Sequence, residues 1–182
     1  ITAGWNIVSI PLQAFDMSKS SLFIQSASNL FGYDSGYQII DTAKIGKGYW
    51  IKYVNNAIVN ICGELTGETS IPIKAGWNLI GVYDKNVAKL NITTTPSITL
   101  SNFFGYDNGY KIIDTLKTGK GYWVKSNADG IINLNTTLAK SNNEEIINPI
   151  NKDWGKITIS DNAQNNTTLY LSTSGTNLDY YE

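Results

Sequence analysis

The chain has 182 residues, with 14 basic residues, all Lys, against 15 acidic ones, a net charge of −1 and charged residues at only 16%. Such a balance offers no basic stripe to a nucleic acid and no polybasic patch to an anionic membrane. Histidine is absent, which removes every His-assisted nucleophile, and the single Cys62 allows neither an internal disulfide nor a Cys-based zinc site.

Residues 4–12, GWNIVSIPL, form a short apolar run rich in β-branched residues and closed by Pro11, the pattern of a strand buried on both faces. Residues 16–28 change character: a capping Asp or Ser precedes Met17, Leu22 and Phe23 at loose helical spacing, which suits a short helix. Residues 30–33 and 37–40 then read as a hairpin around Asp34-Ser35-Gly36, with Gly expected in the left-handed position. The run Gly46-Lys47-Gly48-Tyr49-Trp50-Ile51-Lys52 enters a strand through two glycines, which predicts a positive φ, a bulge or a close backbone approach. Alternation along that strand puts Tyr49 and Ile51 on one face and Trp50 and Lys52 on the other. Residues 57–62, AIVNIC, are predicted as a further strand, with Cys62 a buried or half-buried filler, and residues 63–70 as a turn-rich connector.

From residue 71 the order repeats. Residues 28–52 and 101–125 are identical at 19 of 25 positions at an offset of 73, while AGWN at 3–6 returns at 75–78, an offset of 72. Residues 87–97, with Thr93, Thr94, Thr95 and Pro96, replace the short helix and disfavour one. Residues 135–151 are polar and read as a linker, and residues 154–160 and 168–173 as a hairpin around an Asn-rich loop, 161–166. The expected fold is all-β: two tandem homologous β-modules, 1–70 and 71–137, packed together, then a linker and partial C-terminal β-hairpin segment, 138–182. Because the first module begins without a counterpart of the strand at 71–73, the chain is expected to be a piece of a longer protein.

Three constellations point weakly to chemistry. Asp34 with Asp41, and Asp107 with Asp114, repeat at one spacing, but a glycosidase needs two carboxyls across a single cleft, and Asp34 is already accounted for by its turn. Gly46-Lys47-Gly48 lacks the spacing of a phosphate loop, and loop 161–166 lacks the Gly and closing Glu of a calcium loop. No catalytic residue, metal ligand or cofactor is therefore assigned, and the chain is read as a non-enzyme. The aromatics are the more promising set: Tyr33, Tyr37, Tyr49 and Trp50 recur as Tyr106, Tyr110, Tyr122 and Trp123. Two readings of them stand side by side, a packed core or a platform on which sugar rings stack. On the platform reading the ligand-binding residues are Trp50, Trp123, Tyr33, Tyr106, Lys52 and Lys125, whereas Trp5 and Trp77, inside apolar strands, are expected in the core.

The pattern GWNIVSIP, FGYDSGYQII, GKGYW, repeated as GWNLIGV, FGYDNGYKII, GKGYW, resembles the duplicated GWNLIS…GKGYW module of large secreted or cell-surface bacterial proteins. The tail is similar to the segment that follows such modules. The resemblance implies a secreted or surface-located, β-rich, non-catalytic structural, adhesion or interaction module. Its partners would be other domains of the same parent protein or, on the alternative reading as a carbohydrate-binding module, a polysaccharide or cell-surface glycan, with no nucleic acid and no membrane insertion.

Overall fold

The structure, a computed structural model, describes residues 1–135, 155–160 and 166–171. It is all-β, and residues 1–137 form one compact unit and 138–182 another. In the first module, β1 (Gly4–Ser9) is followed by the two-residue β2 (Gln13–Ala14), the single-turn α1 (Lys19–Leu22), β3 (Leu30–Tyr33), β4 (Tyr37–Ile40) and β5 (Gly48–Tyr53). A short β6 (Gly63–Glu64) pairs with β2. The second module runs β7 (Ser70–Ile73), β8 (Gly76–Gly81), β9 (Val87–Ala88), β10 (Ile92–Thr95), β11 (Phe103–Tyr106), β12 (Tyr110–Ile113), β13 (Thr115–Leu116), β14 (Gly121–Ser126) and β15 (Gly130–Leu134). In the second unit β16 (Gly155–Ser160) and β17 (Asn166–Leu171) form the expected hairpin, its second strand beginning two residues before the predicted one. The linker and the Asn-rich loop with its calcium reading lie outside the described residues.

Each module builds the same antiparallel four-stranded sheet, β1-β5-β3-β4 and its copy β8-β14-β11-β12. The register is the same in both: Gly4 faces Tyr53 and Ser9 faces Gly48, as Gly76 faces Ser126 and Gly81 faces Gly121. The repeated Gly-Trp-Asn sets this register. Gly4 and Gly76 take φ of +94° and +92°, a turn that a side chain would strain. The following Asn locks it: Asn6 donates to the carbonyls of Thr2 and Gly4 and accepts from the Thr2 amide, and Asn78 bonds Lys74 and Gly76 in the same way. Likewise Ser28 and Ser101 accept from the amides of Lys52 and Lys125, and the Tyr49 and Tyr122 hydroxyls accept from the amides of Lys44 and Lys117. These polar pins explain why Ser, Tyr and Asn recur among the apolar positions.

One face of each sheet closes over its module's core. Val8, Ile10, Leu30, Tyr49 and Ile51 lie in the first, and Ile80, Val82, Phe103, Tyr122 and Val124 in the second. The second core has a lid, the sheet β10-β15-β7, which buries Ile71, Ile132 and Leu134. The first lacks that sheet. Residues 57–62 are not a strand, contrary to expectation: α1 stands where β10 would be, the Ile1–Ala57 contact is all that remains of a β7-type pairing, and a lone strand does not persist. Cys62, beyond the last core-facing residue, is consequently exposed rather than a filler.

Two further local readings are corrected or confirmed. In both hairpins the middle residue is left-handed, Ser35 (φ 57°) or Asn108 (φ 50°); the expected positive φ at the Gly occurs in the second, at Gly109 (φ 146°), and not at Gly36, and in both the Asp amide donates to the Gly carbonyl. The helix is real but only one turn long, capped by the Ser18 side chain.

Candidate functional site

The modules meet where each Gly-Lys-Gly crosses the other's first strand. Lys120 bridges Val8 and Lys47 bridges Ile80; the Ser9 amide donates to the Gly119 carbonyl (3.1 Å) and the Gly81 amide to the Gly46 carbonyl (3.2 Å). Equivalent residues thus exchange equivalent bonds, the mark of a pseudo-two-fold axis. At the crossing the backbones nearly touch: a Cβ on Gly48 would lie 2.8 Å from the Ile80 carbonyl oxygen, and one on Gly121 2.8 Å from that of Val8. Ser9 and Gly81 are counterparts, and a Cβ on Gly81 would collide with that of Ser9, so only one of the pair can carry a side chain. Ser9 uses its own to donate to the Lys120 carbonyl (2.9 Å).

This crossing turns the second face of both sheets toward a shared aromatic layer. Across the first sheet the cross-strand row is Ile39, Phe31, Trp50, Ile7; across the second it is Ile112, Phe104, Trp123, Leu79. Ile7, Trp50, Leu79 and Trp123 form the buried centre of the layer. Each module sends a tyrosine into the other: Tyr33 meets Trp123, and Tyr106 meets Trp50, both edge-on at 4.8 Å between ring centroids.

Outside this centre the layer opens into two grooves of about 440 and 430 Å³. One is lined by Trp77, Phe104, Tyr110, Trp123 and, from the first module, Tyr33. The other is lined by the counterparts of these residues, Trp5, Phe31, Tyr37, Trp50 and Tyr106. Trp50 and Trp123 form the floors, only 9% and 7% exposed. Trp5 and Trp77 form walls, 42% and 43% exposed, against the expectation that they are core. In β1 both faces are buried only from Asn6 onward, where the second module packs, and the Trp lies one residue short of that cover.

The polar groups at the grooves are few. The indole N–H groups of both Trp50 and Trp123 are buried and without a hydrogen-bond partner. A buried unpaired donor costs about 1–3 kcal/mol, and at both equivalent points the indole N–H is closed off from the groove above it. Tyr37 and Tyr110 stand exposed above them. Burial pushes the Tyr110 phenol up and neighbouring Tyr37 adds to this; the Trp123 N–H acts the other way, at a geometry too poor to make a hydrogen bond. Lys52 and Lys125, exposed, pair in register with Trp5 and Trp77 but line neither groove.

Of the six residues of the platform reading, four lie in this layer, Trp50 and Trp123 on the floors and Tyr33 and Tyr106 crossing between modules, whereas Lys52 and Lys125 stand exposed outside the groove linings. Sequence reasoning left out Trp5, Trp77, Phe31, Phe104, Tyr37 and Tyr110. The signal that could have found them was the strand alternation itself, since Phe31, Tyr33, Tyr37 and Ile39 share a face. The repeated aspartates do other work, Asp34 pairing with Lys74 and Asp107 with Lys111 at the surface. Among the described residues no three His, Cys, Asp or Glu side chains come together as a metal site. Comparison with protein-family models, with curated proteins and with solved structures finds no match.

Proposed function

We propose that the double module is a non-catalytic interaction module of a secreted or surface-located bacterial protein, and that it makes its contact through the aromatic layer. The observation that carries this reading is the pair of equivalent open grooves, each walled by a half-exposed Trp and floored by a buried Trp with an unpaired N–H. Surfaces that merely close a core do not leave Trp, Tyr and Ile exposed side by side; a contiguous apolar patch of that kind on a folded protein marks a contact site.

The same observation favours carbohydrate as the ligand. Flat aromatic walls suit the apolar faces of pyranose rings, and the hydroxyls at the ring edges would meet the exposed Tyr37 and Tyr110 side chains. Two equivalent grooves suit a repeating polymer, because the second contact becomes intramolecular once the first is made. The test is retention of the purified chain on a panel of insoluble polysaccharides and cell-wall material. The wild-type chain is expected to be retained on at least one polymer. The folded Trp5→Ala variant should be retained weakly, and the Trp5→Ala, Trp77→Ala double variant not at all. Retention unchanged in the folded double variant, or no retention of the wild type on any polymer, would overturn the carbohydrate reading.

A further inference from the structure

The crossing that joins the two modules leaves a gap beside it. Lys47 bridges Ile80 and the Gly81 amide donates to the Gly46 carbonyl, but toward the start of β8 the second module parts from the first. Between residues 72–79 of the second module and the β3–β4 hairpin, Lys44 and Lys47 of the first lies a cleft of about 630 Å³. Tyr33 and Trp77, which line one aromatic groove, line this cleft as well, so the two spaces are neighbours. Their linings differ in kind. The groove has no charged residue, whereas the cleft has four, Asp34, Lys44, Lys47 and Lys74.

Three ammonium groups against one carboxylate make a local positive surplus in a chain whose net charge is −1. The carboxylate is already spent, because Lys74 donates to both Asp34 oxygens, at 3.0 and 3.2 Å. Lys44 and Lys47 are in no ion pair among the described residues. Lys47 is exposed, yet the atoms around its ammonium push it below its ordinary value of 10.5; Asp34 acts against this, and Lys74 and Lys44 add to it. Like charges are therefore gathered here, and a cleft walled by one sign of charge focuses its field on an ion of the other. The residue pattern returns beside the second groove: Lys117 and Lys120 are the counterparts of Lys44 and Lys47, and Asp107 is again taken by a lysine, here Lys111 of its own hairpin (2.7 Å). Different lysines neutralise the two aspartates, and both times the same two are left over.

We propose that Lys44 with Lys47, and Lys117 with Lys120, are anion subsites of the aromatic layer, and that its ligand is an acidic glycan. This rests on the carbohydrate reading of the grooves and adds the class of sugar. One ring stacks against the Trp77 wall, and a carboxylate or phosphate on that sugar or its neighbour reaches past Tyr33 and Trp77 to Lys44 and Lys47. Exposed ion pairs are individually weak, so the lysines select among glycans while the rings supply most of the contact.

The test compares soluble glycans in pairs of one backbone, neutral and anionic: methyl-esterified polygalacturonate with polygalacturonate for a carboxylate, and mannan with phosphomannan for a phosphate. In at least one pair the anionic member should bind about fivefold to tenfold tighter, as two weak ion pairs per groove predict. The pair that shows the preference identifies the anion. The preference should fade as NaCl rises from about 20 mM to about 0.5 M, because exposed charges are then screened. It should be lost in a protein carrying Lys44→Gln, Lys47→Gln, Lys117→Gln and Lys120→Gln, and kept in a charge-matched one carrying Lys19→Gln, Lys52→Gln, Lys85→Gln and Lys125→Gln. All eight lysines are exposed, so both proteins should melt with the wild type. Neutral glycans bound with no preference for their anionic forms would overturn the inference and leave the carbohydrate reading standing, as would a preference lost equally in the charge-matched protein. Poly-L-glutamate binding more tightly than every anionic glycan would make the partner an acidic peptide and overturn it too. Binding of no glycan at all would overturn both.

Discussion

Gly121→Ala adds one methyl group at the place where the two modules cross, and its consequence can be worked from the surroundings. The new Cβ would meet Ile7 Cγ2, the Val8 carbonyl oxygen at 2.8 Å and Gly48 Cα at 3.2 Å. Two of these three are backbone, held by the β1–β5 ladder, so no rotamer change relieves the contact. The strand must shift, and with it the bonds from Ser9 to Gly119 and Lys120. Overpacking a rigid site costs about 1–3 kcal/mol, and a backbone contact with coupled hydrogen bonds belongs at the upper end. For a unit of this size a loss of about 2–3 kcal/mol lowers Tm by roughly 6–12 °C. Gly48→Ala, facing the Ile80 carbonyl at 2.8 Å and Leu79 Cγ at 3.0 Å, should cost a similar amount. The control is Gly36→Ala in the first hairpin, where a Cβ meets nothing within 4 Å. It should leave Tm within a degree or two or raise it slightly, since Ala restricts the unfolded chain. Calorimetry on the three variants decides the matter. A Gly121→Ala protein melting with the wild type would mean that the modules do not cross at this glycine.

Trp50→Ala should cost about 3–5 kcal/mol, as a large buried side chain is removed, whereas Trp50→Phe should cost clearly less because it also removes the unpaired N–H; chemical denaturation of both measures the difference. Asn78→Ala leaves the Lys74 amide and the carbonyls of Lys74 and Gly76 without partners and should destabilise by about 1–3 kcal/mol, with Asn6→Ala alike. Burial raises the phenols of Tyr49, Tyr53, Tyr83 and Tyr122 above their ordinary value of 10. The native state therefore holds these protons longer than the unfolded one, so the stabilisation is complete below pH 10 and is lost as pH climbs through the raised native values. Tm should fall steeply above that point, and phenolate absorbance from these four residues should appear together with unfolding.

Much of this architecture is legible in the residues, and what is not shares one cause. Strands, hairpins and the faces of Tyr49 and Trp50 follow from local period and turn chemistry. Trp5 and Ile7 occupy the same strand, on the same face, with the same local signal, yet one is half exposed and the other buried. The difference comes from residues more than a hundred positions away, since Gly119-Lys120-Gly121 crosses β1 at Ile7, Val8 and Ser9 and does not reach Trp5. Residues 57–62 fail as a strand for a similar reason. AIVNIC and GIINL have equivalent patterns, but only the second has β7 and β10 beside it. The hairpins follow the local signal in part: the positive φ that Asp-x-Gly predicts at the Gly occurs at Gly109 but not at Gly36, and the middle Ser35 or Asn108 is left-handed as well, Asn being among the side chains that tolerate it best.

The duplication explains why the grooves exist at all. A single module has two sheet faces and core enough for one. The other, carrying Ile39, Phe31, Trp50 and Ile7 in a row, would be left in water. A second copy turned about the axis covers the centre of that row with its own, and the exchanged Tyr33 and Tyr106 close the join edge-on against the opposite Trp. The cover is incomplete because the crossing is fixed by Gly48, Gly81 and Gly121 at one end of the strands, while Trp5 and Trp77 lie at the other, beyond the reach of the partner module. The same geometry that buries Trp50 and Trp123 therefore necessarily leaves Trp5, Trp77, Tyr37 and Tyr110 exposed above unpaired indole donors, twice over and in equivalent positions. Each groove takes one of its tyrosines from the other module, Tyr33 in one and Tyr106 in the other, so neither copy alone forms either groove.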